Sequence, residues 1–114
     1  MGDRGNVKIA DSGVYLYTHW SGTDLPVVVQ AVLRRKDRWG DHPYLARMIF
    51  SEMTAGKETC ATGFGISTEL IDPDHPIIII NCAEQSVTFE GKVRWRFDDY
   101  VALSEEQLQK AYVD

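Results

Sequence analysis

Residues 14–33 read VYLYTHWSGTDLPVVVQAVL, and the hydrophobic period changes inside that stretch. From Val14 to Trp20 the side chains alternate: Val14, Leu16, Thr18 and Trp20 share one face, and Tyr15, Tyr17 and His19 share the other. β-branched and aromatic residues dominate, which favours a strand. Ser21-Gly22-Thr23-Asp24 breaks the alternation. Thr23 has the right chemistry to cap a helix, and Asp24 suits its positive end. Pro26 is tolerated in a first turn. Leu25, Val28, Val29, Val32 and Leu33 then recur at helical spacing and form one apolar stripe. A two-residue period gives way to one of 3.6, so strand and helix meet within one domain.

Working outward, Val7 and Ile9 alternate with Lys8 and Ala10, and Asp11-Ser12-Gly13 supplies turn chemistry before Val14. The first two strands therefore form a hairpin. Arg34, Arg35 and Lys36 follow the first helix, where cations favour its C-terminal end. Asp41 or His42 caps a second helix with Pro43 at its start. Its stripe is Leu45, Met48, Ile49 and Met53, widened by Ala46 and Phe50, and Gly56 is placed to stop it. The short connection predicts a helical hairpin.

Phe64, Ile66, Thr68 and Leu70 alternate in a third strand, and Asp72-Pro73-Asp74-His75-Pro76 is a stiff turn. Ile77 to Cys82 is apolar on both faces, as a central strand would be. Val87 to Phe89 and Val93 to Phe97 are two more strands around a tight turn at Glu90-Gly91. Ser104 and Gln107 form a capping box for a C-terminal helix docked by Leu108, Ala111 and Tyr112. The prediction is α+β: a mainly antiparallel sheet of five or six strands, a helical hairpin on one face and a short C-terminal helix. The core should include Leu16, Trp20, Val29, Leu33, Ile49, Phe50, Ile66, Ile79, Phe89 and Trp95.

The chain has 114 residues, enough for one domain. Net charge is −5. Residues 1–40 carry six basic and four acidic side chains, and residues 41–114 carry six basic and thirteen acidic. That acidic balance lacks the electrostatic footprint of a nucleic-acid binder and argues against an anionic membrane surface. No apolar run approaches the roughly 18 residues of a membrane span. The polar opening is unlike a signal peptide, and Asn6 stands where a myristoylation motif wants Ser or Thr. Two cysteines, Cys60 and Cys82, with no C-x-x-C, fit a reducing cytoplasm.

The opening Met1-Gly2-Asp3-Arg4-Gly5-Asn6, with Tyr15-Leu16-Tyr17-Thr18-His19-Trp20, resembles a group of short bacterial, phage and mobile-element proteins with no established activity. Thr62-Gly63-Phe64-Gly65-Ile66-Ser67-Thr68 and the isoleucine strand are similar to the same group. The resemblance implies a cytoplasmic accessory protein carried on a mobile element, and it assigns a role to no residue.

No catalytic constellation stands out. His19, His42 and His75 are scattered, so neither metal-ligand spacing nor a cofactor motif is present. Thr62-Gly63-Phe64-Gly65 lacks the third glycine and the Lys-Ser/Thr of a phosphate loop. Asp98-Asp99 and Glu105-Glu106 read as solvated starts of turns or helices. The informative surface is the open face of the sheet. Tyr15, Tyr17 and His19 lie on it, and Arg94 and Arg96 lie on the corresponding face of the last strand. These residue types suit binding surfaces. Two function classes follow. One is a non-enzymatic binding or assembly module acting as a homodimer or higher oligomer, whose open face takes a small anionic ligand or a protein partner. The other is a small enzyme with His19 as general base in a pocket beside the sheet. The oligomer follows from Ile77 to Ile80: helices cover only one face of that strand, so a second subunit or a folded-over tail must cover the other.

Overall fold

The computed structural model describes residues 2–113. Strand β1 (Gly5–Ile9) turns into β2 (Val14–Thr18), and a short 3-10 turn at Gly22–Asp24 leads into α1 (Leu25–Leu33). Helix α2 (His42–Met53) returns antiparallel to it, and β3 (Phe64–Ser67) follows. The remainder is β4 (Ile78–Asn81), β5 (Ser86–Phe89), β6 (Val93–Arg96), a single-turn helix α3 (Phe97–Tyr100) and α4 (Glu105–Val113). The class is α+β, as the periodicities predict.

The six strands lie in the order β3-β2-β1-β4-β5-β6. Each neighbouring pair is antiparallel except the central one, where β1 runs parallel to β4 with Val7 opposite Ile78 and Ile9 opposite Ile80. The helical pair joins β2 to its antiparallel neighbour β3, and residues 68–77 then carry the chain past β2 and β1 to β4, which sets β4 parallel to β1. Asp11 reinforces the junction: its carboxylate accepts the Cys82 and Ala83 amides at 2.8 and 3.0 Å.

Register separates the faces. Val7 and Ile9 meet Leu16 and Val14 on one side and Ile78 and Ile80 on the other, and all lie towards the helices with Val87 and Phe89. That face and the inner sides of α1 and α2 bury Val29, Val32, Leu33, Leu45 and Ile49 completely. Burial on this scale is the main favourable contribution to the fold. Tyr100 and Tyr112 are equally buried, and their hydroxyls donate to the Pro26 and Gly22 carbonyls at 2.7 and 3.1 Å. A buried phenol needs such a partner. Gly22 is required by packing: a Cβ there would lie 2.6 Å from the Asp3 carbonyl oxygen.

Several sequence expectations are corrected. Trp20 and Ile66, placed in the core by alternation, are 45% and 62% exposed. Trp20 lies beyond the end of β2, and Ile66 sits on an edge strand that the helix layer does not reach. Ile79 is on the open face and half-buried. Thr23 does not cap α1: Asp24 precedes the helix, no side chain caps it, and Thr23 belongs to the preceding 3-10 turn. The last strand stops at Arg96, because Phe97 opens α3 with Asp98 and Asp99 in its first turn. The capping box of α4 forms in full, with Ser104 and Gln107 exchanging bonds of 2.8 and 3.1 Å.

Candidate functional site

Two edges of the sheet are unpaired, and they differ in chemistry. β6 carries Arg94 and Arg96, both exposed. Charges of that kind discourage another strand from adding on. β3 reads Phe64-Gly65-Ile66-Ser67 and has no charge. Its flanks are apolar too: Ile66, Trp20 and Leu70 are three of the five large hydrophobic side chains exposed among the described residues. Trp20 is held in place by Gly63, the residue before β3. Gly63 has φ +97°, and a Cβ on it would lie 2.4 Å from the Trp20 ring. Glycine is required there on both counts.

The neighbouring strand β2 presents Tyr15 and Tyr17 on the open face, and His19, one residue past its end, continues the alternation. Tyr17 Oη and His19 Nδ1 are hydrogen-bonded at 3.0 Å. The His19 ring meets Trp20 edge-on, with centroids 5.1 Å apart. Tyr15 lies beside Lys8 of β1, whose ammonium is 5.5 Å from the ring centroid. Asn6, opposite Tyr17 in register, is fully buried. Its amide donates to the Ile71 carbonyl at 2.7 Å, and its Oδ1 has no partner among the described residues.

The structure brings Tyr15, Tyr17 and His19 together and keeps Arg94 and Arg96 apart from them. β2 and β6 are separated by β1, β4 and β5, or on the order of 19 Å at ~4.8 Å per strand. No small ligand spans that distance. Arg94 instead bonds Glu84 at 3.1 Å. The oligomer argument built on Ile77 to Ile80 also changes, since Ile77 is buried by its own chain.

A second polar cluster forms from residues far apart in sequence. His75 Nε2 donates to Asp3, lies 3.4 Å from the Thr23 hydroxyl, and its ring stacks on Tyr112 with centroids 5.0 Å apart. The Thr23 amide donates to the other Asp3 oxygen at 3.0 Å. Burial works against the charge of Asp3, but the Thr23 amide and His75 outweigh it and hold the carboxyl below its ordinary range. Carboxylate, imidazole and hydroxyl do not make a relay here. Such a relay needs acid and hydroxyl on opposite ring nitrogens, and both face Nε2. The cluster is a clasp joining the N-terminal segment, the 3-10 turn, the 72–76 turn and α4. Nothing local in the sequence signals it, because Asp3 and His75 are 72 residues apart.

Cys82 is buried, and Cys60 is exposed. Burial, then the charges of Asp11 and Asp41, push the Cys82 thiol up to about 12. A thiol held neutral is a poor nucleophile. Among the described residues, no three His, Cys, Asp or Glu side chains gather as a metal site would need, and no helix is long and apolar enough to cross a membrane. No family model, curated protein or solved structure matches this chain, so any functional reading must come from its own geometry.

Proposed function

We propose that this chain is a non-enzymatic binding or assembly module that works as a homo-oligomer, a dimer in the simplest case, joined through edge strand β3. The observation that carries this reading is the pairing of an uncharged free edge with exposed Ile66, Trp20 and Leu70 around it. A second copy related by a two-fold axis would add its own β3 antiparallel to the first. Backbone hydrogen bonds would then continue across the junction, and the apolar side chains would leave water together. Four residues of strand are few, so the side chains must supply much of the affinity. Tyr15, Tyr17 and His19 extend the contact onto the open face, where aromatic rings with polar tips suit an interface. Arg94 and Arg96 belong to the opposite edge and stay outside it.

Sedimentation at tens of micromolar should give twice the 12.9 kDa of one chain. Ile66→Lys, which places a charge on the edge, should give single chains with an unchanged circular dichroism spectrum. The double substitution Tyr17→Ala with His19→Ala locates the boundary: loss of assembly with an intact fold extends the contact to the open face, and retained assembly confines it to β3. A wild-type protein that sediments only as 12.9 kDa overturns the reading.

A further inference from the structure

The helix layer leaves a groove of about 260 Å³ between α2 and the β2–β3 side of the sheet. Leu16 and Ile66 form its floor, Ala46 and Phe50 its wall, and Arg47 and Ser51 its exposed rim. Arg47 and Ser51 are one helical turn apart and so stand on the same face of α2. Neither side chain bonds another group among the described residues. The groove is therefore mostly apolar, with one cation and one hydroxyl on its rim. A mostly apolar cleft with a few uncommitted polar groups is the common form of a small-molecule site, although roughly 300–1,000 Å³ is more usual. The smaller volume restricts the ligand to a short chain or one ring.

Charge selects the rest of the ligand. A second cleft, between α1 and α4, is lined in part by Asp24, Glu105 and Glu106. An anion is repelled there and drawn to Arg47. A guanidinium matches a carboxylate through two parallel hydrogen bonds. We propose that the groove is a binding site for a small apolar monocarboxylate, with its tail between Phe50 and Ile66 and its carboxylate on Arg47 and Ser51. This inference does not require assembly, since one chain holds every residue named. Ile66 lies both on the groove floor and at the β3 edge, so the ligand site is tested through Arg47, which belongs to the groove alone.

The test is a calorimetric titration of the wild-type chain with octanoate, octylamine and octanol, paired with amide chemical-shift mapping. Octanoate should bind saturably and shift the amides of residues 43–51 and 64–67. Octylamine, with the same tail and the opposite charge, should bind at least tenfold more weakly. Arg47→Gln should weaken octanoate at least tenfold while leaving sedimentation unchanged. Ala46→Phe, which fills the groove, should abolish binding. If Ala46→Phe fails to fold, the exposed Arg47→Gln variant still decides the matter. Equal affinity for octanoate and octylamine, unchanged affinity in Arg47→Gln, or no saturable octanoate binding below about 1 mM overturns the proposal.

Discussion

Asp3 shows how single residues hold this fold together. Its carboxyl is kept below the ordinary 3.8 by the Thr23 amide and His75, against the opposing effect of burial. A depressed folded-state value stabilises the native chain above the unfolded pKa, and that stability is lost as pH falls through the folded value. The urea midpoint should therefore drop between about pH 5 and pH 2. Asp3→Asn should be less stable than wild type at neutral pH, with the gap closing in acid. A gap that stays constant across that range would exclude Asp3 from the linkage. Asp11 and Asp74 are depressed as well, through the Cys82 and Ala83 amides and through Arg4, so a residual acid slope should survive in Asp3→Asn. The thiols give a second residue-scale expectation. In the native protein at pH 8, an aromatic disulfide reagent should titrate Cys60 rapidly and leave Cys82 unreacted until the chain unfolds, because Cys82 is buried and its thiol is pushed up to about 12.

Elements differ in how legible they were and in what maintains them. The capping box at Ser104 and Gln107 was readable from four residues because its bonds are local. Ser104→Ala should cost about 1 kcal/mol in urea unfolding. Ile49 lies in the middle of α2 and is fully buried. Ile49→Ala should cost about 2–5 kcal/mol, since a cavity is left where the side chain was. A smaller loss than at Ser104 would mean that α2 is not the helix covering the sheet. Periodicity identified both long helices, both hairpins and the helix-facing side of β2. It failed where burial depends on what lies opposite. Ile66 has the alternation of a core residue, yet its strand is at an edge. Phe97 continues the pattern of β6, yet Asp98 and Asp99 favour a helical turn immediately after Arg96. Of the candidate surface, Tyr15, Tyr17 and His19 were legible because they alternate along one continuous stretch of chain, β2 and the residue just past it. The separation of Arg94 and Arg96 was not, because strand order is set by where the 68–77 connection delivers β4, and no pattern within β2 or β6 encodes that.

Across the whole molecule, chemistry is polarised along the sheet. The β3 end is apolar and aromatic, and the β6 end is charged. Assembly through β3 should therefore persist when salt is raised, whereas a contact made by Arg94 and Arg96 would weaken as their field is screened. Sedimentation at low and high ionic strength separates the two. The parallel pairing of β1 with β4 has another effect. Every strand on one side of it comes from residues 5–67, and every strand on the other side from residues 78–96. Order along the chain and order in space coincide, so a cut near residue 72 severs no strand. It leaves two pieces, each with one raw edge that matches the other. Gln30, buried on α1, donates to the Tyr100 and Leu103 carbonyls at 3.0 and 2.7 Å. During synthesis, the first piece can complete its own three strands while that amide has no acceptor, until Tyr100 and Leu103 leave the ribosome. The nascent chain thus holds a half-sheet with an open edge until residues 78–96 emerge, and the two halves expressed separately in one cell should find each other and rebuild the whole.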